Sequence, residues 1–97
     1  MAYDPGAIDA KLAAAVGDDP ALIAELRAAF LESVHRSVEM MRASRGAEEW
    51  AQAALRLQSL AGSFGVTSLM ALAEEAIRSS AQDGVLLRKI DRAAEKL

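Results

Sequence analysis

The chain has 97 residues, of which 53% are hydrophobic and only 4% aromatic, with a net charge of −3 and no cysteine. That length suits a single domain over residues 1–97 with one core, built from Leu, Ala, Ile, Val and Met and favouring helix over strand. The acidic balance lacks the basic footprint of a nucleic-acid binder, and the absence of cysteine removes disulfides, thiolate metal sites and cysteine catalysis.

Five helical segments follow in chain order. The first, from about Ala7 to Val16, places Ile8, Leu12 and Val16 at steps of four, and Gly17 suits its end. Asp19-Pro20 reads as an N-cap followed by proline at the first helical position. The second helix then runs from about Pro20 to Ser44, with Ile23, Leu26, Phe30, Val34, Val38 and Met41 on one face. Arg45-Gly46 breaks it. The third helix, from about Ala47 to Phe64, buries Trp50, Ala53, Ala54, Leu57, Leu60, Ala61 and Phe64. Gly65 ends it, and Thr67 or Ser68 can cap the fourth, which buries Leu69, Leu72, Ala73, Ala76 and Ile77. Asp83-Gly84 is the next turn, with Asp83 a candidate cap. The fifth helix offers Leu86, Ile90, Ala93 and Leu97 on one face.

Amphipathic helices joined by short connections fit an all-α, antiparallel four-helix bundle, with the short N-terminal fifth helix laid across one end as a lid. No linker, repeat or low-complexity tract divides the chain. The N-terminal stretch has neither a basic n-region nor an apolar h-region, and no apolar run reaches the ~18 residues of a membrane span. A soluble cytoplasmic protein without membrane contact is therefore expected.

The third helix carries the most information. Counting about 100° per residue from Trp50, its apolar residues fill one sector, while Leu55, Gln58, Ser59 and Gly62 fall near roughly 140°, 80°, 180° and 120°. These residues lie away from the core. Ser59 and Gly62 are poor choices for a solvated helix face, where Lys, Glu or Gln cost less in helix propensity. A nearly uncharged spot with one leucine knob suits a partner-binding site.

The stretch Leu55-Arg-Leu-Gln-Ser-Leu-Ala-Gly-Ser-Phe-Gly65 resembles the active segment of bacterial histidine phosphotransfer (HPt) domains. That segment reads His-x-hydrophobic-Lys-Gly, with a second glycine six residues after the first. Taking Gly65 as the second glycine puts Leu55 at the phosphoacceptor position, Leu57 at the hydrophobic position, Gln58 at the lysine and Ser59 at the first glycine. Ala61-Gly62-Ser63-Phe64-Gly65, the register Leu69-x-x-Leu72-Ala73, and the aromatics Phe30 and Trp50 are also similar to the family. The resemblance spans roughly residues 7 to 80. It implies a four-helix bundle of HPt type in a two-component phosphorelay, with a response-regulator receiver domain or a sensor histidine kinase as partner.

The chemistry of that resemblance is negative. The family's imidazole attacks a phosphoaspartate, its lysine helps hold the phosphoryl oxygens, and its glycine gives the receiver room. All three are replaced here. Leucine has no lone pair, and Gln58 offers only neutral donors. The chain looks like a degenerate member that binds without accepting phosphate, with no catalytic residue and no cofactor.

Other chemical readings are weaker. His35, the only histidine, falls on the flank of the second helix without an orienting partner, so an active phosphocarrier through His35 is the alternative rather than the expectation. Glu32-x-x-His35 is half of a di-iron motif, which requires that pair twice, and no metal site is expected. Glu48-Glu49 and Glu74-Glu75 diverge on their helices, and Glu74 with Arg78 is spaced for an ion pair. No nucleophile pairs with a base, so no enzymatic activity is expected. A dimerisation or scaffold bundle unrelated to signalling is a further alternative.

Overall fold

The side chain of Asp19 accepts hydrogen bonds from the backbone N–H groups of Ala21 (3.1 Å) and Leu22 (3.3 Å), and Pro20 opens the helix behind it. This is the start that the Asp-Pro pair predicts. The computed structural model describes residues 6–17, 19–79 and 83–97; the expectation of a leaderless N-terminus falls on residues 1–5, outside the described residues. Five helices are present among the described residues: α1 (Gly6–Val16), α2 (Pro20–Arg42), α3 (Ala47–Ser63), α4 (Thr67–Arg78) and α5 (Gly84–Glu95). The protein is all-helical over this range. No described helix is long and apolar enough to cross a membrane.

The helices pack in a cycle: α2 against α3, α3 against α4, α4 against α5, and α5 back against α2, while α1 lies on α2. Their inward faces make one core. Phe30, Val34, Val38 and Met41 come from α2, Trp50, Ala53, Ala54, Leu57 and Ala61 from α3. Leu69, Ala73 and Ala76 of α4 and Leu86, Ile90 and Ala94 of α5 complete it, and Ile8 and Leu12 of α1 are buried as well. Ile23 and Leu26, in the first half of α2, are only partly buried.

Trp50 joins two helices by a polar bond as well as by its area. Its indole Nε1 donates to the carbonyl of Ala76 at 2.8 Å, and the residue is 1% exposed. That carbonyl lies in the last turn of α4, where it also accepts the Ser79 backbone N–H at 3.1 Å, so the indole adds a bond from α3 to the end of α4. The hydroxyl of Ser79 donates to the same oxygen at 3.0 Å. Phe30 of α2 and Phe64, after α3, stack at 4.3 Å between centroids with a 45° tilt, which seals the α2–α3 contact at the other end of α3.

The turn from α3 to α4 is compressed, and it corrects one expectation. Gly65 adopts φ 69°, its N–H donates to the Gly62 carbonyl (3.3 Å), and the N–H of Val66 donates to the Ala61 carbonyl (2.9 Å). This is a Schellman ending, which needs the left-handed conformation that glycine holds without strain. Val66 then serves twice. It closes α3, and it occupies the N-cap position of α4 with no side-chain hydrogen bond. Thr67 and Ser68, the cap candidates from sequence, already lie inside the helix. The Val66 side chain is buried at 3% exposure, so the turn is held by apolar contact and backbone bonds rather than by a hydroxyl cap.

Three further details differ from the periodicity. The second helix stops at Arg42 rather than Ser44, because the Ser44 hydroxyl takes the Met41 carbonyl at 2.7 Å. Ser37 is fully buried on the inward face of α2. In α5, Ala94 is more deeply buried than Ala93. Asp83 caps α5 as expected, accepting from the Leu86 N–H at 3.1 Å.

Two arginines tie α2 to the end of the chain. Arg27 donates to the Leu97 carbonyl at 2.8 Å, and Arg42 bridges Glu39 and Asp91. The hydrogen bond to Asp91 is the main cause that raises the Arg42 pKa above its ordinary value. Desolvation, next in size, opposes it, and the charges of Asp91 and Glu39 add to it. Both partners in the Arg42–Asp91 pair are substantially exposed, so it contributes about 1 kcal/mol or less.

Candidate functional site on the outer face of α3

Because α3 turns its apolar stripe toward the core, with Leu60 and the following Phe64 only partly buried, its opposite face is left to solvent. Leu55 is 55% exposed, and Ser59 and Gly62 are also exposed. Gln58 is half-buried, in line with its position nearer the stripe. The four residues singled out by periodicity therefore share one side of the helix. Ala51 and Gln52 extend that side by a turn, and the exposed Arg56 stands at its edge, about 40° from Gln52 and about 60° from Ser59 at the same helical count. The Ser59 carbonyl accepts a bond from the Ser63 hydroxyl at 2.9 Å, so Ser63 folds back on the helix.

Gly62 stands close to α4. A Cβ built there meets the Met70 sulfur of α4 at 3.3 Å, tighter than an ordinary contact. The half-buried Met70 lies over that end of the face. Gly62 thus borders the α3–α4 contact, and the open part of the face centres on Leu55 and Ser59.

The structure adds a neighbour that periodicity could not reveal. A hollow of about 260 Å³ is lined by Met40 and Ala43 of α2 with its following residue, and by Glu49 and Gln52 of α3. Met40 is 40% exposed. Gln52 borders both this hollow and the next turn, where Leu55 stands. Met40 therefore lies beside Gln52, with Glu49 on the same hollow. Met40 is adjacent in sequence to the buried Met41, so its outward position was readable from the period of α2. Its approach to α3 was not, since it depends on how the two helices are rotated against each other.

The other candidates are placed apart from this face. His35 is exposed on α2. Glu32, its partner in the half-motif, instead pairs with Arg36 at 3.1 Å across exposed surface. Glu74 and Arg78 pair at 3.7 Å, as their spacing predicts. Glu49 accepts the backbone N–H of Arg45 at 3.0 Å and so supports the start of α3, where Gly46 offers no side-chain cap. Among the described residues no three of His, Cys, Asp or Glu converge as metal ligands would.

What the α3 face can do chemically follows from these residues. It has no nucleophile with a base beside it, and no cation at the position of Gln58. It can exclude water over an aliphatic side chain and offer amide and hydroxyl groups at the edge, which is the make-up of a protein contact. Compared with known proteins, the chain matches no family model, no curated protein and no solved structure.

Proposed function

We propose that this protein is a degenerate HPt-like domain of a bacterial, cytoplasmic two-component phosphorelay. It binds a response-regulator receiver domain or a sensor histidine kinase and accepts no phosphate itself. In this reading α2 to α5 form an antiparallel four-helix bundle of HPt type, with α1 added to it. The cyclic packing of those four helices supports it, as does the pairing of Arg27 with Leu97 and Arg42 with Asp91, which fits α5 running against α2. The Schellman turn at Gly65 falls where the family's second glycine ends the active helix.

The observation that carries the proposal is Leu55. It stands at the acceptor position, 55% exposed, on an outward helix face of small or neutral residues with Arg56 at its edge. A side chain that left its site for mere solvation would more often be Lys, Glu or Gln. A retained aliphatic knob fills an apolar spot on a partner where a histidine would present its ring. Met40 and Gln52 extend the contact onto α2.

The test is a titration of the protein against the receiver and kinase domains of its host. The wild type binds at least one of them, and Leu55→Asp weakens that binding by about tenfold or more, the range of a central interface residue. Absence of any binding, or a Leu55→Asp variant that binds as the wild type does, overturns the docking reading.

A further inference from the structure

A second face differs in chemistry from the first. Along α5 and the two residues that follow it, Val85, Arg88, Lys89, Arg92 and Lys96 lie within roughly 100° of one another at the helical count, opposite Leu86, Ile90, Ala94 and Leu97. All five are exposed, and Val85 is the most exposed large apolar residue among those described, at 59%. The cations from Arg88 to Lys96 span about 12 Å of helix. Among the described residues no ion pair engages any of them. Asp91, which could have neutralised the strip, is turned to Arg42 on α2. On α5 itself Glu95 lies at its edge. Val85, Arg88, Lys89 and Arg92 line a hollow of about 330 Å³.

We propose that this strip docks an acidic segment of another protein, one that carries an aliphatic side chain among its carboxylates. The proposal is independent of the α3 face. Four clustered cations on a chain whose net charge is −3 make a local positive field against an otherwise acidic surface, and such a field selects and steers an anionic partner. The hollow beside Val85 supplies an apolar seat between two arginines and a lysine, and arginine suits bidentate carboxylate contacts. A membrane surface fits less well. Helices that lie in a bilayer interface insert a broad apolar face, and α5 has spent its apolar face on the core. Nucleic acid also fits less well, since a polyanion longer than the strip meets the acidic remainder of the surface.

The probes are a synthetic peptide with four glutamates spaced around one leucine, the same peptide with alanine for leucine, phosphatidylserine vesicles, and a short single-stranded DNA of equal charge. Each is titrated into the isotope-labelled full chain and followed by amide shifts. The leucine peptide is expected to shift amides of α5 between Val85 and Arg92 and to weaken with added salt. It should bind about threefold or more tighter than the alanine peptide and tighter than the DNA or vesicles. Arg88→Glu with Arg92→Glu should lower its affinity by about tenfold or more. Both sites are exposed, so the helical spectrum is retained. The proposal is overturned if the leucine peptide leaves α5 unshifted at millimolar concentration. It is overturned equally if vesicles or DNA bind more tightly than the peptide, if the alanine peptide binds as well, or if the charge-reversed variant binds unchanged.

Discussion

The two sides of α3 are made from one helix and obey different constraints. Its inner side is a close-packed stripe in which Trp50, Ala53, Ala54, Leu57 and Ala61 are all 1% exposed or less. Three of those five are alanines, so α2 and α4 can approach closely, and the large Trp50 and Leu57 fill what space remains. The outer side, from Ala51 to Gly62, holds small or neutral residues and one exposed leucine, with Arg56 at its edge. Stability resides on the first side. The second bears little of the packing, so its residues can be substituted with small effect on folding, and it is the face that the proposed docking uses.

That contrast can be broken by substitution. The largest effect belongs to Trp50→Ala, which removes a buried indole and leaves the Ala76 carbonyl without its strongest side-chain partner; it should cost about 3–5 kcal/mol in denaturant unfolding. Leu57→Ala should cost about 2–5 kcal/mol by the cavity alone. A loss under about 1 kcal/mol at either site would contradict the assignment of the inner face.

The triple variant Leu55→His, Gln58→Lys, Ser59→Gly is the matching change on the outer side. Its expected cost is about 1 kcal/mol, mostly from glycine in a helix interior. The lysine that replaces Gln58 can extend its charge past a half-buried stem into water. Circular dichroism and urea titration check that the variant folds. A variant that fails to fold would mean that these residues face the core. Gly62→Ala is a finer probe. Alanine gains about 1 kcal/mol of helix propensity over glycine, and the flexible thioether of Met70 has only a few tenths of an ångström to give, so a net gain of about 0.5–1 kcal/mol is expected. A loss of stability would show that Met70 is fixed and that Gly62 is required by the α3–α4 contact. The smallest effect is that of Leu55→Asp, within about 0.5 kcal/mol of the wild type in the same titration.

Much of this arrangement was legible in the sequence. A 3.6-residue period is a direct record of which side of a helix meets the core, and it placed Leu55, Ser59 and Gly62 outside, Trp50 and Leu57 inside. Asp19-Pro20 and Asp83 marked helix starts because their side chains satisfy backbone donors locally. The departures arose where local chemistry depends on tertiary packing. Thr67 and Ser68 have the right groups for capping, but burial of Val66 sets the turn one residue earlier. Ser37 reads as polar and is buried. The adjacency of Met40 to Gln52 follows from the rotation of α2 against α3, which no single-helix pattern contains. The basic strip of α5 was equally present as a period, with charges at i, i+1, i+4 and i+8 from Arg88. It stands out as a positive surface once Asp91 is seen to face Arg42.

The central claim is that the protein binds a phosphorelay partner and does not itself carry phosphate. Incubation of the wild type with a receiver domain bearing labelled phosphoaspartate, followed by separation of the two proteins, measures both parts. The account predicts that the two proteins associate and that all label stays on the receiver or is lost to water. Acid-labile phosphate recovered on this chain, and abolished by His35→Ala, would contradict it.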